Sequence, residues 1–139
     1  MIFLDSSFLV AYSVDGDSNH PKAVEVMGDI VDSAYGPPVI SDYVFDETTT
    51  VTFLRTRELR KARSVGDAML RSFRILRVDD QAFGMAWRRF RSQKGTKFSF
   101  TDCTTVELMM QNGVNNIATF DEVFGAYREF NVVDVRKID

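Results

Sequence analysis

The sequence predicts an α/β fold, with a mainly parallel central sheet between two layers of helices. Short apolar segments of strand length alternate along the chain with longer segments that have helical periodicity. The short segments lack polar alternation, which is typical of strands buried on both faces of a parallel sheet. The chain has 139 residues, 45% of them hydrophobic, and no linker, repeat or low-complexity tract interrupts it. We therefore expect one three-layer α/β/α domain spanning residues 1–139.

Capping residues and hydrophobic periodicity mark the limits of the predicted elements. Ser99 and Asp102 have the form of a capping box, and Gly113 suits a left-handed helix end. On the fifth helix, Trp87 and Phe90 are expected to pack in the core. The predicted strands cover residues 1–4, 39–40, 74–78, 116–120 and 131–135, and the predicted helices cover residues 6–12, 21–31, 42–54, 59–73, 80–94 and 100–112.

The charge of the chain is unevenly distributed. Residues 55–97 include 13 basic and four acidic residues, a net charge of +9, whereas the flanking segments include four basic and 16 acidic residues, a net charge of −12. A basic surface beside an acidic centre is typical of a metal-dependent nuclease, because cations attract nucleic-acid phosphates and acids can hold metal. A solvated basic helix face would give the same pattern.

The composition excludes several kinds of site. Cys103 is the only cysteine and His20 the only histidine, so the sequence offers neither an internal disulfide nor the ligands of a Cys/His zinc site. We expect Cys103 to be a packed hydrophobic residue and assign no role to His20. No apolar run reaches the roughly 20 residues of a membrane helix, and no secretory signal is recognisable, so a cytoplasmic protein is expected. Hydrolytic chemistry in this chain would rest on carboxylates.

Two candidate carboxylates follow predicted strands. Asp5 comes directly after the first strand, and Asp121 comes directly after the fourth. The carboxyl ends of parallel strands lie at one edge of a sheet, and sites form there beside the reversal in strand order. We therefore expect Asp5 and Asp121 to lie close together, although they are far apart in sequence.

Two further acids interrupt apolar helix faces. Glu47 shares a predicted buried stripe with Val44, Val51 and Leu54, where an unpaired carboxylate would be costly. Asp102 lies on a buried stripe of the sixth helix, although its place in the first turn also permits a simple capping role. These two acids complete a candidate set of four.

The predicted chemistry of this set is metal binding. Four clustered carboxylates would raise one another's pKa values by repulsion unless a cation neutralised them. Oxygen ligands suit Mg²⁺ or Mn²⁺, which can activate a water molecule and offset the charge on a phosphodiester. The predicted catalytic and metal-binding residues are Asp5, Glu47, Asp102 and Asp121. Candidates for orienting these carboxylates or water are Ser6, Thr101 and Thr119.

Four short motifs occur in a defined order along nearly the whole chain. They are residues 2–7 (IFLDSS), 43–48 (YVFDET), 98–103 (FSFTDC) and 117–124 (IATFDEVF). In this order and spacing they resemble the acidic motifs of the PIN-domain family, particularly the VapC-type toxin ribonucleases of toxin–antitoxin pairs. The four candidate acids match the family's acidic positions. Asp46 and Glu122, each the neighbour of a candidate, leave the ligand in either pair open.

The resemblance implies endonucleolytic cleavage of RNA at an acidic pocket that holds Mg²⁺ or Mn²⁺. It also implies a homodimer, for which we expect the helices between residues 44 and 70 to supply the surface. For a toxin it implies a small antitoxin protein that inserts a segment into the pocket, where an arginine can pair with the carboxylates. Candidate phosphate contacts to RNA are Arg88, Arg89, Arg91, Lys94 and Lys97.

Three alternatives stay open at this point. One is a PIN-type nuclease of RNA maturation or turnover that has no antitoxin. Another is a metal-dependent phosphohydrolase of small esters, which the absence of a glycine-rich phosphate cradle disfavours. The third is a non-catalytic module that binds RNA or a protein partner, which the presence of all four acids disfavours.

Overall fold

The computed structural model describes residues 1–133, within which five strands and six α-helices alternate. The strands are β1 (Ile2–Leu4), β2 (Pro38–Ser41), β3 (Arg74–Leu76), β4 (Asn116–Ala118) and β5 (Asn131–Val133). The helices are α1 (Ser6–Ser13), α2 (His20–Val31), α3 (Asp42–Thr56), α4 (Leu59–Ser72), α5 (Asp80–Arg91) and α6 (Phe100–Asn112). A 3-10 helix, Glu122–Ala126, follows β4. Residues 134 and 135 of the predicted last strand lie outside the described residues.

The five strands form one parallel sheet in the order β3-β2-β1-β4-β5. This confirms the predicted α/β class. Right-handed crossovers place α1 to α4 over one face and α5 and α6 over the other, and α1 contacts α2 and α3 while α5 contacts α6. The strand order reverses between β1 and β4, so the crevice at their carboxyl ends is the expected place for a site.

The centre of the sheet is its best-buried part. Ile2, Phe3 and Leu4 of β1 are each 0% exposed, and each such side chain stabilises the fold by about 1.5–3 kcal/mol through burial. No helix within the described residues 1–133 is long and apolar enough to cross a membrane. The rigid core under β1 gives the following residue, Asp5, a fixed backbone position.

The caps predicted for α6 are present, and α3 also begins with a side-chain cap. The Ser41 hydroxyl accepts a hydrogen bond from the Val44 N–H at 3.0 Å at the start of α3. Ser99 and Asp102 form a complete capping box at the start of α6, and Gly113 ends that helix with a left-handed φ of 64°. Caps of this kind each contribute about 1 kcal/mol. They fix the first turns of α3 and α6, the two helices that carry Glu47 and Asp102.

Two strands end earlier than predicted because side chains take over their backbone hydrogen bonds. β3 ends at Leu76, and the Val78 N–H donates to the Asp42 carboxylate at 3.0 Å. β4 ends at Ala118, and the Phe120 N–H donates to the Ser7 hydroxyl at 3.0 Å. Both departures lie at the carboxyl edge of the sheet, where the chain turns into the candidate site.

The predicted buried stripe of α3 is wrong in part. The fully buried residues of this helix are Val44, Thr48 and Thr52, whereas Leu54 is 66% exposed. The face at i, i+4 and i+8 is buried because α3 packs between α1 and α4, and threonine contributes its methyl group there. A prediction from apolar residues alone treats threonine as polar, so it places the buried face of α3 on the wrong side of Val44.

The predicted core packing of Trp87 and Phe90 is also wrong within the described chain. Their side chains are 50% and 37% exposed. Small residues, Ala82 and Ala86, form the buried face of α5 and allow it to approach α6 closely. The large rings are therefore displaced to the flank, where they pack around Phe100.

Candidate active site

A cavity of about 500 Å³ opens at the carboxyl ends of β1 and β4. All four predicted carboxylates line it, and they come from four different segments of the chain. The polar residues that line the cavity are Asp5, Ser6, Ser7, Asp17, Asn19, Glu47, Arg55, Lys97, Ser99, Asp102 and Asp121. The expected convergence of Asp5 and Asp121 is therefore observed.

Asp5 is the most buried of the four acids, at 3% exposure. Its Oδ2 accepts hydrogen bonds from the hydroxyls of Ser7 at 2.8 Å and Thr119 at 2.7 Å. The Thr119 hydroxyl also accepts from the Asp121 N–H at 3.0 Å, so it joins the acid after β1 to the acid after β4. Burial raises the pKa of Asp5, and the two hydroxyl hydrogen bonds partly oppose that rise.

Asp102 combines a structural role with a place in the cavity. Its Oδ2 accepts a hydrogen bond from the Ser99 N–H at 3.0 Å, and the Ser99 hydroxyl accepts from the Asp102 N–H at 3.0 Å. The residue is only 9% exposed, and this burial raises its pKa to about 6. The capping and site interpretations of Asp102 are therefore compatible, because the cap fixes the carboxylate at the cavity wall.

Glu47 and Asp121 lie at more open positions. Glu47 projects from α3, and partial desolvation raises its pKa while a hydrogen bond from Ser6 opposes the rise. Asp121 accepts a hydrogen bond from the Val123 N–H at 3.1 Å and so begins the 3-10 helix. Their neighbours in sequence, Asp46 and Glu122, are not among the residues that line this cavity.

The acids of the cavity act on one another electrostatically. Repulsion from Asp121 contributes to the raised pKa values of Asp5, Glu47 and Asp102, and Asp5 contributes to those of the other two. A cation placed among them would relieve both the repulsion and the cost of burying charge. The electrostatics of the cavity thus favour a bound cation.

The donor chemistry fits Mg²⁺ or Mn²⁺, since the carboxylates and hydroxyls around the cavity are hard oxygen ligands. Within residues 1–133, however, no three His, Cys, Asp or Glu side chains converge into a ready-made metal site. An ion would accordingly take a direct ligand from one or two carboxylates and keep several waters, which is usual for Mg²⁺. Asp5 and Asp102, the two fixed and buried carboxylates, are the best placed.

The predicted orienting residues differ in their positions. Ser6 lines the cavity, and Thr119 holds Asp5 as described. Thr101 is not among the lining residues, and its carbonyl accepts a hydrogen bond from the Thr104 hydroxyl at 2.6 Å. Ser7, which the sequence interpretation passed over, donates to Asp5. Its position two residues after the strand-end acid was the signal available.

Among the predicted phosphate contacts, Lys97 alone lines the acidic cavity. Arg88, Arg89 and Lys94 line a second cavity of about 500 Å³, and Arg91 lines neither of the two. The Arg89 guanidinium donates from Nε to Glu107 at 2.7 Å and from Nη1 to the Tyr127 hydroxyl at 2.6 Å. Arg89 therefore has a role in the fold, whatever its role toward RNA.

Replacing Arg89 by Met is expected to destabilise the protein by about 2–3 kcal/mol, because it leaves the Glu107 carboxylate, 3% exposed, without its cation. Urea unfolding followed by circular dichroism measures this loss. Arg88→Met is the matched control, since Arg88 is exposed and is expected to change stability by less than about 0.5 kcal/mol. Equal stability of the two variants would contradict the structural role of the pair.

Cys103 is packed in the core, as predicted, and His20 lies outside the acidic cavity. Cys103 is 0% exposed, and burial raises the pKa of its thiol to about 11, so it is not an activated nucleophile. His20 begins α2, and its Nδ1 lies 2.9 Å from the Ala11 carbonyl oxygen. Neither residue lines the acidic cavity.

The fold is that of a PIN domain. The chain belongs to the PIN domain family, whose model matches residues 2–129. Among curated proteins, it is 30% identical over 131 residues to the 23S rRNA-specific endonuclease VapC20 of Mycobacterium tuberculosis, a match that covers 91% of this chain and 93% of VapC20. The chain is thus a homologue of a VapC-type endonuclease.

Solved structures agree with this assignment. The crystal structure of M. tuberculosis VapC20, described as a sarcin–ricin loop cleaving toxin, matches with a TM-score of 0.78 and 27% identity, covering 91% of this chain and 94% of that one. VapBC2 from Rickettsia felis matches with a TM-score of 0.66 and 15% identity, covering 94% and 96% of the two chains. FitAcB from Neisseria gonorrhoeae matches with a TM-score of 0.63 and 17% identity, covering 97% and 98%. At that identity, the last two likenesses concern the fold.

Proposed function

We propose that this protein is a divalent-metal-dependent endoribonuclease that cuts ribosomal RNA and acts as the toxin of a type II toxin–antitoxin pair. The observation that carries the proposal is the single cavity lined by Asp5, Glu47, Asp102 and Asp121 in a homologue of VapC20. The relative's described substrate makes the sarcin–ricin loop of 23S rRNA the first candidate. Ribosomes are cytoplasmic, so we propose the cytoplasm as its place of action.

In this mechanism Asp5 and Asp102 would hold the metal, with Glu47 and Asp121 reaching it through water. A bound Mg²⁺ or Mn²⁺ supplies an activated water and offsets charge on the phosphodiester. Ser7 and Thr119 fix the orientation of the Asp5 carboxylate, and Ser99 fixes that of Asp102. Because hydrogen bonds within the chain already orient both carboxylates, little ordering is needed when substrate binds.

The test is cleavage of intact ribosomes and of a synthetic sarcin–ricin hairpin by the purified protein, with Mn²⁺, with Mg²⁺ and with EDTA. We expect a single cut in the presence of metal, no cut in EDTA, and recovery when Mn²⁺ is restored in excess. Cleavage that persists in EDTA would contradict the metal mechanism. Failure to cut either RNA, together with no Mn²⁺ binding by calorimetry, would contradict the nuclease assignment and favour a non-catalytic binding module.

We further propose an antitoxin partner and a homodimer. The description of VapC20 as a toxin supports the antitoxin, and a small gene encoded beside this one would distinguish a toxin from a PIN-type nuclease of RNA maturation. Exposed apolar side chains that a second copy could cover occur on α3 and α4, as expected, at Leu54 and Leu59, and also on α5, at Phe83 and Trp87. Sedimentation velocity of Leu59→Glu beside Trp87→Glu identifies which face, if either, holds a dimer.

A further inference from the structure

The acidic cavity is also lined by two cationic side chains, which the metal chemistry does not require. Arg55 and Lys97 share it with the four carboxylates and with Asp17. Arg55 was not singled out by its sequence, because it belongs to the basic segment and lies outside the four acidic motifs. On α3, however, Glu47, Val51 and Arg55 are spaced four residues apart, and all three line the cavity. Arg55 therefore lies about 12 Å along the helix from Glu47.

Arg55 is held in place by one ion pair. Its Nη1 donates to the Asp17 Oδ2 at 2.6 Å, and Asp17 is itself fixed by the Asn19 N–H, which donates to Oδ1 at 2.8 Å. The Asp17 side chain is 16% exposed, whereas that of Arg55 is 42% exposed. Arg55 makes no other hydrogen bond with the described part of the chain, so most of its five N–H donors stay available to a ligand.

Lys97 enters the cavity from the opposite part of the sequence. It lies two residues before Ser99, whose capping box fixes the start of α6 and the Asp102 carboxylate. The Lys97 side chain is exposed, and within residues 1–133 it has neither a hydrogen-bond nor an ion-pair partner. An ammonium group without a partner beside clustered acids is available to an anionic ligand.

We propose that Arg55 and Lys97 bind the RNA phosphates that flank the cleaved phosphodiester, an inference that rests on the proposed nuclease function. The carboxylates repel every phosphate of an approaching strand, and a bound metal offsets that repulsion only at the phosphate it contacts. The neighbouring phosphates need cations from the protein. Arg55 presents a planar set of donors suited to a phosphate, and its pair with Asp17 fixes the guanidinium beforehand.

The salt dependence of RNA binding counts phosphate contacts directly. Binding of the sarcin–ricin hairpin is measured without divalent metal across a range of monovalent salt, for the wild type, Arg55→Met, Lys97→Met and the control Arg60→Met. The slope of the logarithm of the binding constant against the logarithm of the salt concentration is negative. Each lost contact is expected to make it less negative by about 0.7–0.9. Arg60 is exposed on α4 outside the cavity, so its replacement is expected to leave the slope unchanged.

Cleavage kinetics in Mn²⁺ supply the second readout. Arg55→Met and Lys97→Met are each expected to raise KM about tenfold with kcat within about twofold of wild type, because flanking contacts bind substrate and transition state alike. Asp17→Asn breaks the ion pair but keeps the charge of the arginine, so it is expected to raise KM by less than Arg55→Met does and to leave the salt slope intact.

An unchanged slope in both cavity variants would overturn the inference. So would a salt slope that changes as much in Asp17→Asn as in Arg55→Met, because the change would then follow the ion pair and not the charge of the arginine. Cleavage by the wild type in the same assay shows that such a result concerns Arg55 and Lys97 alone. If the wild type cuts no RNA, the proposed nuclease function has failed, and the inference that rests on it is overturned with it.

Discussion

Replacing Asp102 or Asp5 by Asn is expected to reduce Mn²⁺-dependent cleavage about a thousandfold, equivalent to about 4 kcal/mol in the activation barrier. The amide keeps the shape of the carboxylate, and its oxygen can still accept the hydrogen bonds from Ser99 or from Ser7 and Thr119. It removes the negative charge that metal binding needs. Changes to residues that merely support a ligand already cost 10–100-fold in many metal sites, so loss of a ligand should cost more. Single-turnover cleavage of the ribosomal hairpin at saturating Mn²⁺ measures the effect.

Adjacent acids provide the matched control. Glu47→Gln is expected to lower the cleavage rate strongly. Asp46→Asn removes the same charge from the adjacent residue, which does not line the cavity, and should retain the wild-type rate within about threefold. Asp121→Asn and Glu122→Gln form the same kind of pair. Thermal unfolding must show each variant folded. Wild-type rates in folded Asp5→Asn and Asp102→Asn would exclude these carboxylates from the reaction.

Much of the fold follows from local features of the sequence. The apolar strand β1, the Ser99–Asp102 capping box and the glycine at 113 each act within a few residues, and each appears where predicted. The face of α3 and the exposure of Trp87 depend instead on which helices pack together. That packing is decided by Thr48, Thr52 and Ala86, whose small or methyl-bearing side chains carry a weak signal in a hydrophobic pattern.

The candidate site shows the same division. The proximity of Asp5 and Asp121 could be predicted from the sequence, because the carboxyl ends of parallel strands lie at one edge of the sheet. The hydroxyl bridge from Thr119 to Asp5 spans 114 residues and depends on the register between β1 and β4. The place of Arg55 in the cavity depends on its spacing of two helical turns from Glu47. It also depends on the loop that brings Asp17 within hydrogen-bonding distance of the guanidinium. Such contacts follow from tertiary structure and have no local motif.

The raised pKa values of the cavity link metal binding to pH and to stability. Burial raises the pKa of Asp102 from 3.8 to about 6, and it also raises that of Asp5. Between about pH 4 and pH 6 the folded chain therefore binds more protons than the unfolded chain. The metal-free protein accordingly loses stability as pH rises through this range. For Asp102 this loss is of the order of 2–3 kcal/mol, present above pH 6 and absent below about pH 4.

Affinity for Mn²⁺ is expected to follow the opposite course and to fall by about tenfold or more between pH 7.5 and pH 5. Each ligand must lose its proton before it binds metal. Asp102, whose pKa is raised to about 6, contributes about tenfold by itself, and the raised pKa of Asp5 adds to the fall. Calorimetric titration with Mn²⁺ at several pH values measures the affinity, and urea unfolding of the metal-free protein measures the stability. Metal-free Asp102→Asn should be more stable than wild type at pH 7.5, by about 1–3 kcal/mol, and equally stable at pH 4. A Mn²⁺ affinity that does not change between pH 5 and pH 7.5 would mean that these buried carboxylates are not the groups that bind the ion.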